Sequence, residues 1–181
     1  MFLRKGFTLI EVLVTVGIFS ILIVAIIGIF VSALRIEKNV LGSKKVLGQI
    51  SYAAEYMTRA LRMAEKDKTG ICIPSGSNYE SAIENKIKFI NALQDGDCQE
   101  FFLKDGKIKF QTKAEIPLPP SPIELTSSDI IVDNLKFSIL GEVQGDGLQP
   151  FVTIYIEAHS QDSPPLKIQV SVSQRNLDVN Y

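Results

Sequence analysis

The chain has no tryptophan, one histidine and two cysteines among its 181 residues. The single histidine, His159, stands apart from any serine or cysteine motif, so no nucleophile–base pair can be drawn from it. The glycines form no phosphate-binding loop. Carboxylates are not massed as calcium needs, with its six to eight oxygen ligands, and Asp95-Gly96-Asp97 and Asp146-Gly147 read as turns. No catalytic set, metal site or cofactor is expected. Net charge is only −1 and the pI is near 5.9. The chain therefore lacks the strongly basic balance of many nucleic-acid binders. Lys44-Lys45 and Arg59 with Arg62 are local cations of the kind that touch phosphate. Such helix faces are more often solvated or set against a partner subunit.

Charge is missing altogether from the 23 positions between Glu11 and Arg35. A span of about 20 apolar residues suffices to cross a bilayer. Proline is absent from Phe7 to Lys66, so nothing forces a break in a helix there. At the head of this run stands a lone carboxylate, Glu11, where an acidic group in lipid is costly and marks a function and a partner. The core is too long for a secretory signal peptide, whose apolar region runs about 7 to 15 residues and precedes its cleavage site. A plain signal anchor fits the length but leaves Glu11 without a reason.

The stretch Lys5-Gly6-Phe7-Thr8-Leu9-Ile10-Glu11-Val12-Leu13-Val14, preceded by Arg4, resembles the N-terminal signal of type IV pilins and pseudopilins. The resemblance covers only the first part of the chain. It implies a leader, residues 1–6, cut by a prepilin peptidase between Gly6 and Phe7. It also implies N-methylation of the new N-terminal Phe7 and an assembly role for Glu11. The partners implied are that peptidase, other pilin or pseudopilin subunits, the inner-membrane assembly platform and the membrane itself. The positive-inside rule alone does not orient the span. Arg4 and Lys5 on one side face Arg35, Lys38, Lys44 and Lys45 on the other. The resemblance places the N-terminus in the cytoplasm and exports the C-terminal domain, leaving a single-pass inner-membrane protein that enters a pilus or pseudopilus. Many pilins carry a proline in the second half of the span. This chain has none, and Gly17 or Gly28 either loosens the helix there or lets helices pack closely.

From Arg35 the pattern becomes amphipathic. Val40, Ser43, Leu47, Ile50, Ala54, Met57, Leu61 and Ala64 recur at steps of three and four, which is one face of a helix. The expectation is one long helix from about Thr8 to Lys66, bent at Gly42 or Gly48, with its span at 7–34 and its amphipathic part at 35–66. Asp67-Lys68-Thr69-Gly70 is the expected stop, with glycine as the cap. Residues 67–181 read as a globular antiparallel β domain. Strands are expected at Lys86–Leu93, Glu100–Lys104, Lys107–Gln111, Leu135–Val143, Phe151–Ala158 and Leu166–Ser173. Asp105-Gly106 signals a tight hairpin. Glu80 to Asn85 fits a short helical turn, and Ile116 to Pro122 a proline-rich linker. The fold class is α+β, a long N-terminal helix packed on an antiparallel sheet. Cys72 and Cys98 lie beyond the span in loop-like sequence. An oxidising compartment permits a disulfide between them, the alternative being two buried thiols.

The function that follows is a pilin-like structural subunit of a type IV pilus or type II secretion filament, in layout nearest a minor pilin or a J-type pseudopilin. The rival is a permanently anchored envelope domain that binds a ligand and never enters a filament. An anchored enzyme has no residue set to support it.

Overall fold

The computed structural model describes residues 6–81, 83–93, 96–113, 122–141 and 148–176. The leader up to Lys5, Asp95 of the Asp95-Gly96-Asp97 turn, most of the proline-rich linker, the last residues of the expected Leu135–Val143 strand and the Gln144–Gly147 turn lie outside them. The chain separates into two compact units, Met1–Leu41 and Gly42–Tyr181.

A single helix, α1, spans Leu9–Arg62 and contributes to both units. In the first unit its apolar side chains are exposed all round. Its hydroxyls are satisfied by the helix itself: Thr15 donates to the Val12 carbonyl (2.9 Å), Ser20 to Val16 (2.8 Å) and Ser32 to Gly28 (2.9 Å). That pattern lets polar side chains sit in a medium that offers no water.

In the second unit α1 buries Val46, Ile50, Ala53, Ala54, Met57 and Leu61. The expected seam is right from Ile50 onward and shifted before it. Leu47 and Val40 are exposed, and Val46 takes the inward position. Either of two adjacent apolar residues satisfies a three-four spacing, and the packing partner selects between them.

The helix also ends earlier than expected. Its last carbonyls are taken by remote groups, as helix termini require. The buried Tyr79 hydroxyl donates to Leu61 O (2.8 Å), Arg175 N to Arg62 O (2.8 Å) and Ala92 N to Met63 O (3.0 Å). Ala64–Glu65 then pairs as a short strand, β1. Gly70 keeps its left-handed φ of 76° but serves a loop beyond that strand, not a helix cap.

The remaining strands are β2 (Lys86–Asn91), β3 (Asp97–Lys104), β4 (Lys107–Lys113), β5 (Ile123–Glu124), β6 (Ile130–Leu140), β7 (Phe151–Ser160) and β8 (Ser163–Ser173). They form two antiparallel sheets, β1-β2-β3-β4-β5 and β6-β7-β8. The β3–β4 hairpin turns at Asp105-Gly106 as expected, both with positive φ (55° and 67°) and with Lys104 opposite Lys107. Glu80 joins Lys88 in an isolated antiparallel bridge where a helical turn was expected. β8 begins at Ser163, ahead of the expected start at Leu166, so Pro164 and Pro165, which read by sequence as part of a turn from Gln161 to Pro165, lie in a strand. Proline is tolerated there because β8 is an edge strand among the described residues.

The core lies where α1 meets the sheets. Phe101 and Phe110 are cross-strand partners with ring centroids 5.2 Å apart, and Tyr56 of α1 meets Phe110 edge-on at 5.6 Å. Aromatic pairs of this geometry add about 0.5–1.5 kcal/mol beyond area burial. On the second sheet Val152, Ile154, Ile156 and Ala158 of β7 point inward in strict alternation. At Gly42 a Cβ would lie 2.6 Å from the carbonyl oxygen of Asp162, in the β7–β8 turn. The helix runs unbroken through Gly42 and Gly48. Gly42 therefore admits a close approach of backbone and does not interrupt α1.

Candidate functional site

The residues expected to be processed sit just ahead of α1. Gly6 and Phe7 are in non-helical backbone, and the helix begins only at Leu9. The bond between them is thus outside the hydrogen-bonded helix, and Phe7 is 83% exposed. A protease must thread an extended chain through its cleft, so this placement suits cleavage. Thr8 is the N-cap. Its carbonyl accepts from Glu11 N (3.2 Å) and Val12 N (3.3 Å). Glu11 reaches back, one carboxylate oxygen accepting from Thr8 N at 3.4 Å, with the Thr8 hydroxyl 3.5 Å away. Thr8-Leu9-Ile10-Glu11 has the spacing of a capping box, and Glu11 makes its half of it by accepting from Thr8 N. Sequence reasoning missed this although the Thr-x-x-Glu spacing was legible. It gives Glu11 a local role in the uncut chain, stabilising the first turn through its free N–H groups and the helix dipole.

From Val12 to Leu34 the helix carries no charge, and its side chains are exposed among the described residues. Its most apolar window of 18 residues has a mean hydropathy of 3.0, and none of that window is buried. By length and composition it is able to cross a membrane.

The two cysteines meet. Cys72 and Cys98 form a disulfide with Cα atoms 5.5 Å apart, joining a loop to the first residues of β3. The loop is organised by Asp67, which the sequence reading placed only in the helix stop. Its buried carboxylate accepts from Thr69 N (2.7 Å) and the Thr69 hydroxyl (2.8 Å), and from Gly70 N (2.8 Å), Cys72 N (2.9 Å) and Ile73 N (3.1 Å). Burial by itself would raise the Asp67 pKa. The Thr69 hydroxyl and the backbone N–H groups of Ile73, Cys72 and Gly70 outweigh it and hold the carboxyl well below the usual carboxylate range. The Tyr79 hydroxyl is pushed up by burial, which keeps it a donor to the end of α1. An Asp followed by Thr and Gly is a turn signal. Nothing in the local sequence says that one carboxylate collects donors as far as Ile73.

Three of the remaining polar candidates, His159, Lys45 and Arg59, are engaged in structural contacts. His159 Nδ1 lies 2.7 Å from Asp133, the extra residue of a bulge in β6. Lys45 pairs with Asp129 at 2.6 Å, and Arg59 pairs with Glu55 one turn away.

Residues 1–27 match a family model described as the prokaryotic N-terminal methylation motif. This is the signal of type IV prepilins, and it supports a type IV pilin-like or pseudopilin precursor, a structural subunit by class. The match ends within α1, so the second unit is not covered by it. No curated protein and no solved structure matches the chain.

Proposed function

We propose that the chain is a minor pilin or pseudopilin, cut between Gly6 and Phe7, methylated on Phe7 and packed through the first half of α1 into a type IV pilus or type II secretion filament. The observation that carries this reading is a methylation motif leading directly into a helix whose apolar half is exposed among the described residues. In the precursor that surface is covered by lipid of the inner membrane, with the second unit exported. In a filament, neighbouring helices replace the lipid. Cleavage gives Phe7 a positive α-amino group one turn from Glu11. The carboxylate is then able to leave its own Thr8 and meet the amine of a neighbour, so that docking neutralises both charges.

One observation favours the rival, a permanently anchored envelope domain. Glu11 already has a task within its own helix, accepting from Thr8 N. The two readings separate on processing and on what Glu11 does afterwards. With the peptidase co-expressed, the mature chain is expected to begin at Phe7, and Gly6→Val to retain the leader. Glu11→Leu is expected to leave a folded membrane pool but to be depleted about tenfold or more from sheared filament fractions, roughly the loss of 1.4 kcal/mol in docking. An uncut wild-type chain, or a Glu11→Leu chain that enters filaments as wild type does, returns the protein to the anchored class.

A further inference from the structure

The two cysteines of the bridge are held by different means. Cys98 belongs to β3 and is set by ladders with β2 on one side and β4 on the other. Cys72 lies in the loop that follows β1, outside the strands. What fixes that loop is the Asp67 carboxylate. Its Oδ1 accepts from Thr69 N, the Thr69 hydroxyl and Gly70 N, and its Oδ2 accepts from Cys72 N and Ile73 N.

Asp67 itself is tied to the sheet that carries Cys98. Glu65 of β1 stands opposite Ile90 of β2, and Ile90 stands opposite Cys98 of β3. Asp67 follows Glu65 by two residues. Its N–H donates to Ser77 O (3.0 Å) and its carbonyl accepts from Gly76 N (2.7 Å), which closes the loop behind it. The carboxylate thus starts from the same sheet row as Cys98 and folds the chain back until the Cα of Cys72 is 5.5 Å from that of Cys98. Disulfides need Cα atoms about 4.4–6.8 Å apart. All five donors are backbone N–H groups or the Thr69 hydroxyl, so the hub needs no sulfur–sulfur bond to form.

We propose that Asp67 is a positioning residue for oxidation of the cysteine pair. In the reduced chain its carboxylate folds the Thr69–Ile73 loop and holds Cys72 beside Cys98, so that the bridge closes within one chain and not between two copies. The step is thiol–disulfide exchange with a disulfide oxidant. One protein thiolate attacks the oxidant and releases one of its thiols, and the second protein thiolate displaces the other. The two protein thiols lose two electrons and two protons, and the oxidant's disulfide becomes two thiols. The effect is mutual: the factor by which the hub favours the bridge is the factor by which the bridge favours the hub. It concerns the second unit alone and holds whether or not the chain enters a filament.

The test uses the full chain in detergent, reduced and then equilibrated with graded ratios of oxidised to reduced glutathione. Acid quenching, alkylation and mass spectrometry count free thiols and bridge. Asp67→Asn is expected to lower the equilibrium constant for the bridge about tenfold or more, to slow its closure and to raise the share of disulfide-linked dimers on non-reducing gels. Thr69→Val removes one of the five donors and is expected to shift the equilibrium the same way by about twofold or more. Gly42→Ala strains the β7–β8 turn on the other sheet and is expected to leave it unchanged. In urea titrations Asp67→Asn is expected to cost less in a Cys72→Ser, Cys98→Ser background than in the bridged chain, since the two sites share one loop. An Asp67→Asn chain that reaches the wild-type equilibrium at the wild-type rate overturns the proposal, as does a fall that Gly42→Ala matches. If reduced Asp67→Asn does not fold, Thr69→Val decides, and a glutathione equilibrium unmoved by it overturns the proposal.

Discussion

Among single residues, Asp67 and Glu11 show one group type in two settings. Both are carboxylates that gather N–H groups. Asp67 is buried and collects five donors from Thr69 to Ile73. Glu11 is exposed and makes only long contacts with Thr8. A hydrogen bond to a charged group contributes about 1.5–3 kcal/mol net where water is excluded. Asp67→Asn, which turns an N–H₂ group toward those donors, is therefore expected to cost about 2–3 kcal/mol. The folded pKa of Asp67 is depressed, so its contribution is complete above the unfolded value of about 3.9 and declines as pH falls below it. Urea titrations of wild type and Asp67→Asn, followed by tyrosine fluorescence since the chain has no tryptophan, are expected to differ widely at pH 7. The gap is expected to narrow near about pH 3 as the wild type loses what the variant never had. A gap of constant size would contradict the charged-acceptor account.

At the scale of elements, the decisive junctions are those between α1 and chain far from it in sequence. The helix end is held by Tyr79, Ala92 and Arg175, which come from three separate segments. The turn between β7 and β8 crosses α1 so closely that Gly42 has no room for a side chain. Alanine is the better helix former by about 0.8–1.0 kcal/mol. If Gly42 served only as a flexible hinge, Gly42→Ala would stabilise the protein. The close approach of Asp162 predicts the opposite sign, a loss of about 1–3 kcal/mol as the turn is pushed away. Gly48→Ala, where a Cβ meets open space, is the control and is expected to be neutral or stabilising. Thermal unfolding of the two variants side by side decides between hinge and contact.

Taken whole, the molecule joins a half-helix exposed among the described residues to a folded unit stapled by Cys72–Cys98. For a separation of 26 residues, the chain-entropy account assigns the staple about 3–4 kcal/mol. If the second unit is exported as proposed, neither thiol is expected to be open to labelling under denaturing, non-reducing conditions. Cys72→Ser with Cys98→Ser is expected to lower stability by about that amount, and stoichiometric labelling of the wild type would reject the bridge as a feature of the exported protein. The amino-acid sequence by itself determined the long helix, the apolar span, the processing motif, the Asp105-Gly106 hairpin and the alternating strands β7 and β8. Each is a matter of neighbours along the chain: periodicity, an unbroken apolar run, or a residue pair that tolerates positive φ. The tertiary structure alone decided that Val46 and not Leu47 faces inward, that α1 stops at Arg62, and that the strands divide into two sheets. It also decided that Pro164 and Pro165 belong to an edge strand and that Asp67 is a buried hub. The physical reason is shared. Adjacent apolar residues fit one helical stripe equally well, and a helix end, a sheet edge and a buried carboxylate take their partners from residues far away in the chain.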